Sequence, residues 1–114
     1  MVQQVRIYEI FERNKAAFHA HFRDQTMRIM RKYGFDFVAA WETMTDKRTE
    51  FLFLLSWPGV EAKEAARHKF RADEEWKEIT RVATAEHGDL VGEIQDRLLT
   101  PTTYSPQAFA HSTR

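Results

Sequence analysis

The chain has no cysteine in 114 residues, which excludes a disulfide framework, a thiolate nucleophile and a thiolate metal site, and makes a reducing cytoplasm the expected compartment. It also lacks an excess of either charge, since seventeen basic side chains balance seventeen acidic ones. A net charge of zero offers no overall attraction to nucleic acid or to an anionic membrane, and no run of Lys and Arg is long enough to act as a local one. Near-neutrality favours self-association over mutual repulsion. No apolar run approaches the roughly 20 residues that a membrane span needs, and the opening Met1-Val-Gln-Gln-Val-Arg6 lacks the basic region and apolar stretch of a signal peptide. A soluble, unexported protein is expected. Glycine is limited to four residues with no cluster, so there is no Gly-rich phosphate loop, and neither a nucleophile elbow nor a paired acid motif is present. Covalent catalysis and nucleotide binding are disfavoured.

What is present is an ordinary globular composition, 43% apolar and 30% charged, at a length that supports one domain and is too short for two. That domain is expected over residues 1–106, followed by a mobile tail over 107–114. The stretch Phe51-Leu-Phe-Leu-Leu-Ser-Trp57, stopped by Pro58-Gly59, contains a single polar side chain. It predicts a strand with both faces buried, because one wet face would have produced alternation. A helix layer can cover one face, and so short a chain has little left for the other. A homodimer follows as the expected assembly.

Around this strand the chain reads in order. Val2–Phe11 is a first strand with Val5, Ile7 and Glu9 on one face and Arg6, Tyr8 and Ile10 on the other. Asn14 is a good N-cap for a helix over Lys15–Tyr33 that ends at Gly34, with Phe18, Phe22, Gln25, Ile29 and Tyr33 on its inner face and His21 on the flank. A second strand covers Phe35–Thr45, with Phe35, Phe37, Ala39 and Trp41 sharing a face, and Asp46-Lys-Arg48 turns into the central strand. Two helical pieces follow, one marked by Ala62, Ala66 and Phe70, the other capped by Asp73 with Trp76, Ile79, Thr80 and Ala83 facing in. Gly88 ends the second, and Asp89–Thr100 forms a weaker fourth strand containing Gly92. The order strand, helix, strand, strand, helix, strand predicts an α+β, ferredoxin-like split βαβ fold: a four-stranded antiparallel sheet with helices on one face.

With that order in place, the residues resemble the NIPSNAP family of the dimeric α+β barrel superfamily over roughly residues 4–106. The matching points are Arg6-Ile-Tyr8, Phe22-Arg23, Ile29-Met-Arg-Lys-Tyr-Gly34, Val38-Ala-Ala-Trp41, Leu54-Leu-Ser-Trp57, Arg67, Asp73-Glu-Glu-Trp76 and Leu98-Leu-Thr-Pro101 leading to Tyr104-Ser-Pro106. Their order and spacing carry the resemblance more than any one of them. The chain departs from the family's pattern at Glu12-Arg-Asn-Lys15, where a Gly-containing turn is common, and at Thr45-Asp-Lys-Arg-Thr49, where a Gly/Asn-rich hairpin is common. It also lacks the His near Phe53 and the Tyr near Trp57 that members often carry. The resemblance implies a homodimer whose sheets pack face to face. The superfamily spans cofactor-free oxygenases, cyclases and haem proteins, so the resemblance implies no single reaction.

The chemistry-bearing residues narrow the choice. His19, His21, His68, His87 and His111 do not converge as metal ligands, because His19 and His21 diverge on one helix and His68 lies off its helix's apolar face. An axial haem ligand would have to be His68 or His21. His19 is expected to be solvated, and His87 suits a helix C-terminus. No cofactor is assigned. A pocket for a small hydrophobic, aromatic or carbonyl-bearing ligand is expected between the first helix and the sheet, lined by Arg6, Tyr8, His21, Phe22, Gln25 and Trp41. In it His21 would act as general base, Tyr8 would donate to a developing oxyanion, Arg6 would hold an anionic group and Gln25 would orient His21. The competing account is a non-catalytic dimeric binding or assembly module. There Gln25 and His21 would hydrogen-bond each other or a backbone carbonyl, and Arg6 would pair with a nearby carboxylate.

Overall fold

The computed structural model describes residues 1–106, so the tail expected over 107–114 lies outside the described residues. At its centre Phe51, Phe53, Leu55 and Trp57 point to one side of strand β3 (Thr49–Trp57) and are buried, while Leu52 and Leu54 on the other side are half-buried. Strand β1 (Val2–Ile10) pairs antiparallel with β3 on one side and with β4 (Val91–Leu99) on the other, and β2 (Asp36–Met44) pairs with the free edge of β3. The resulting order, β2-β3-β1-β4, is that of an antiparallel ferredoxin-like sheet. Helices cover one face, where Phe18, Phe22, Ile29, Met30, Ala66 and Phe70 pack with the inward residues of β3 in one apolar cluster. The opposite face carries Val5, Ile7, Leu52 and Leu54 without a helix over them. Within one chain, then, the central strand has one covered face and one half-covered face.

The first helical layer departs from a uniform helix. Helix α1 (Lys15–His21) passes into a π-helical turn over Phe22–Thr26 before α2 (Met27–Lys32) resumes. Each i→i+5 turn inserts a residue relative to the α spacing. The inward position after Phe22 is therefore Thr26, which is buried, instead of the expected Gln25, which is half-buried. Asn14 differs from expectation too. Its side chain makes no cap, and its Nδ2 instead donates to the carbonyls of His87 and Asp89 at 3.0 and 3.3 Å, tying the start of α1 to the end of the last helix.

Helix α3 (Val60–Ala72) runs into α4 (Glu74–His87) across Asp73, whose Oδ1 accepts the Trp76 backbone N–H at 2.7 Å. This is the expected N-cap. Gly34 sits at φ 90 after α2, a backbone angle that favours glycine. In β4 a Cβ on Gly92 would fall 2.4 Å from Oε1 of Glu9, so a larger residue there would make the Glu9 side chain shift beside the irregular β1–β4 pairing. No helix among the described residues is long and apolar enough to cross a membrane.

One local irregularity decides which way a tryptophan points. In the β2–β3 pairing Phe37 opposes Leu55 but Ala39 opposes Leu54, so Val38 is an extra residue and the strand bulges. Beyond the bulge every side chain changes face. Trp41 therefore opposes Leu52 on the uncovered side of the sheet, 52% exposed, while Phe35 and Phe37 remain on the helix side.

Candidate functional site

The helix-side face of β1 presents Gln4, Arg6 and Tyr8 in succession, opposite Leu55, Phe53 and Phe51. Strand alternation puts them on that face, and the helices stand off far enough to leave a cavity of about 520 Å³ above them. Phe18, Phe22, Phe35, Trp57, Phe70 and Trp76 contribute aromatic rings to its apolar wall.

Tyr8 is buried among aromatic rings, with its centroid 5.4 Å from Phe53 and 6.3 Å from Phe18 in edge-to-face arrangements. Its hydroxyl oxygen accepts from Arg6 Nε at 3.4 Å. Because that contact uses a lone pair, the phenolic O–H remains a donor available to the cavity. The other end of the Arg6 guanidinium meets Asp96 of β4, with Nη1 to Oδ2 at 2.5 Å, and Gln4 Nε2 donates to the same oxygen at 2.8 Å. Gln4 Oε1 in turn accepts from Trp57 Nε1 at 2.9 Å. The chain Trp57, Gln4, Asp96, Arg6, Tyr8 thus runs beneath the cavity, with every member except Asp96 lining it. Burial works against the Arg6 charge, but Tyr8 and Asp96 outweigh it and hold its pKa above the ordinary value.

His21 lines the same cavity from α1, beside Trp76 at a ring separation of 6.0 Å. Burial, and secondarily the nearby His87, lower its pKa. At neutral pH its ring is accordingly unprotonated and able to accept a proton.

Of the six residues expected to form the site, Arg6, Tyr8, His21 and Phe22 line this cavity. Gln25 does not. The π turn swings it to the outer groove between the first helical layer and α4, where its Oε1 accepts from Arg28 at 2.8 Å instead of orienting His21. Trp41 is excluded by the Val38 bulge, which turns it to the far side of the sheet. His19, expected in solvent, is half-buried with Nε2 2.8 Å from Glu42.

The NIPSNAP family profile matches residues 3–106. The chain belongs to the NIPSNAP family. Among solved structures, it is similar to an uncharacterised NIPSNAP domain protein from Burkholderia xenovorans, with 18% identity over 94% of this chain and 100% of that one and a TM-score of 0.78. A NIPSNAP family protein from Agrobacterium tumefaciens gives 18% identity over 94% and 98% of the two chains, again with a TM-score of 0.78. The cofactor-independent oxygenase SnoaB from Streptomyces nogalater superposes at a TM-score of 0.59, with 17% identity over 93% of this chain and 97% of that chain. At these identities the structural likeness speaks for the fold. No curated protein sequence matches the chain.

The NIPSNAP cavity also contains residues that sequence reading missed. Gln4 follows from the period-two pattern of Arg6 and Tyr8, and that signal was available. Asp96 had none, since its place beside Arg6 depends on the register of two strands 90 residues apart. Lys63, Arg67 and Arg71 line the cavity from α3; only their four-residue spacing hinted at a shared face. No group of three or more His, Asp or Glu among the described residues is arranged to hold a metal ion. His68 is exposed on α3 and does not line the cavity.

Proposed function

We propose that this NIPSNAP protein binds a small hydrophobic, aromatic or carbonyl-bearing ligand between its sheet and helices, and acts on it by cofactor-free acid/base chemistry of the oxygenase type. The observation that carries this reading is that a proton acceptor, His21, and an O–H donor, Tyr8, line one predominantly apolar cavity. His21, neutral at pH 7, takes a proton from an activated C–H of the ligand. Tyr8 donates to the oxygen on which negative charge develops, and Arg6 stabilises that charge through the Tyr8 hydroxyl. The ligand carbanion is the reductant and dioxygen the oxidant. In balance, an activated methylene group and one dioxygen molecule give a ketone and one water: one oxygen atom enters the new carbonyl, and the other leaves with the two methylene hydrogens. Similarity to a cofactor-independent oxygenase supports this choice of reaction class.

The protein acts as a homodimer in this reading, joined through the sheet face that carries Val5, Ile7, Leu52, Leu54 and Trp41, and the cysteine-free composition suits a reducing cytoplasm. The ion pair between Arg6 and Asp96 favours a second reading, a non-catalytic dimeric binding module whose polar inner groups satisfy each other. A thermal-shift panel of aromatic acids, aldehydes and quinols identifies a ligand, and turnover of that ligand distinguishes the two. Once a ligand that stabilises the protein is found, oxygen uptake with His21→Gln is expected to fall by about 10²–10⁴ while the fold is kept. Ligand binding with no turnover in the parent protein would leave the binding module standing, and stabilisation by no compound would remove the ligand site.

A further inference from the structure

The cavity wall is electrostatically one-sided. Arg6, Lys63, Arg67 and Arg71 line it, against Asp89 as the single carboxylate. Two of these cations are engaged, Arg6 by Asp96 at 2.5 Å and Lys63 by Glu64 at 2.6 Å. Arg67 and Arg71 are not. Glu64 feels Arg67 at longer range, yet among the described residues neither guanidinium makes an ion pair, a hydrogen bond or an aromatic contact. Every other arginine among them makes at least one of these. Both are exposed residues that also line the cavity, so they stand where it meets solvent. Four-residue spacing puts them, with Lys63, on one face of α3. Behind them the same helix contributes buried Phe70, and beyond it lie Phe35, Trp57 and Phe22.

From this arrangement we infer that the ligand is an amphipathic anion. Its apolar body occupies the aromatic interior, and its carboxylate or phosphate monoester is held at the mouth by Arg67 and Arg71. A pair of free guanidinium groups over an apolar chamber selects this class, because each can form bidentate charge-assisted bonds to a planar or tetrahedral oxyanion. It also fixes orientation: the anionic head faces α3, and the opposite end of the ligand is delivered toward Tyr8 and His21. The inference rests on the reading of the cavity as a ligand site and names the class of molecule that enters it.

Isothermal titration of the full chain with 2-naphthoate, 2-naphthyl phosphate and neutral 2-naphthamide tests it. At least one of the anions is expected to bind about 10–100-fold tighter than the amide, as charged hydrogen bonds imply, and the preference should weaken as salt is raised. The tighter anion identifies the head group. Exchanging both residues, Arg67→Gln with Arg71→Gln, should bring that anion down to the affinity of the amide, with the far-ultraviolet circular dichroism unchanged. Arg81→Gln, on the exposed side of α4 and outside the cavity, should keep the preference. If the amide binds as tightly as both anions, or if the double variant retains the preference, the inference is overturned while the cavity remains a ligand site. If none of the three binds at millimolar concentration, the ligand-site reading falls and the inference with it.

Discussion

At the scale of single residues, Asp73 ties the end of α2 to the start of α4. One carboxylate oxygen caps α4 through the Trp76 N–H, and the other accepts the Tyr33 hydroxyl and the Lys32 ammonium, the latter at 3.3 Å. The Tyr33 hydroxyl first, and then the Trp76 amide, hold its pKa near about 2, below the ordinary 3.8. A depressed carboxylate pKa means that the unfolded chain binds the proton more readily, so the contribution is complete above about pH 4 and is lost as pH falls toward 2. Asp73→Asn, which retains a capping oxygen but not the titration, should lower the melting temperature at neutral pH and flatten its acid limb between those values. Parallel acid limbs for the two proteins would show that the tie carries no linked proton.

At the scale of elements, two irregularities determine what reaches the cavity. The π turn at Phe22–Thr26 keeps Phe22 and Thr26 inward and moves Gln25 out, and the Val38 bulge moves Trp41 across the sheet. Helix α4 closes the layer with less burial than its stripe suggests. Trp76, expected to face in, does so but is half-buried, packing on Phe70 at a ring separation of 4.6 Å and facing the cavity on its remaining side. Trp76→Ala should therefore cost about 1–3 kcal/mol in denaturant unfolding, less than the roughly 3–5 of a fully enclosed ring. A cost at the upper end of the second range would mean that something further covers it.

At the scale of the whole molecule, the outstanding demand is the open sheet face. Leu52 and Leu54 are half-buried and Trp41 is 52% exposed, on a sheet whose other face is occupied by helices. A second copy meeting this face would bury all three. Light scattering is expected to give twice the 13.5 kDa chain mass. Leu54→Glu should halve the measured mass while helicity persists, because an unpaired carboxylate at the interface is costly and in the monomer faces water. A monomer in the parent protein at micromolar concentration would assign this face another role.

Sequence by itself determined the order of elements, the central strand, the Asp73 cap and the family, because each is written in local pattern: periodicity, a capping side chain, turn residues, ordered motifs. It also determined that Arg6 and Tyr8 share a strand face, since alternation is a property of the backbone. It could not determine the two sites where the backbone departs from regular spacing. A π turn and a bulge each insert a single residue, and both shift the phase of everything after them, so a uniform helical wheel kept Gln25 in and a uniform strand kept Trp41 beside Phe37. Tertiary structure alone decided the partners: Asp96 on Arg6 through strand register, and Arg67 and Arg71 at the cavity mouth through the way α3 lies on the sheet. Such contacts join residues far apart in the chain, and their geometry is set by packing, which no local pattern encodes.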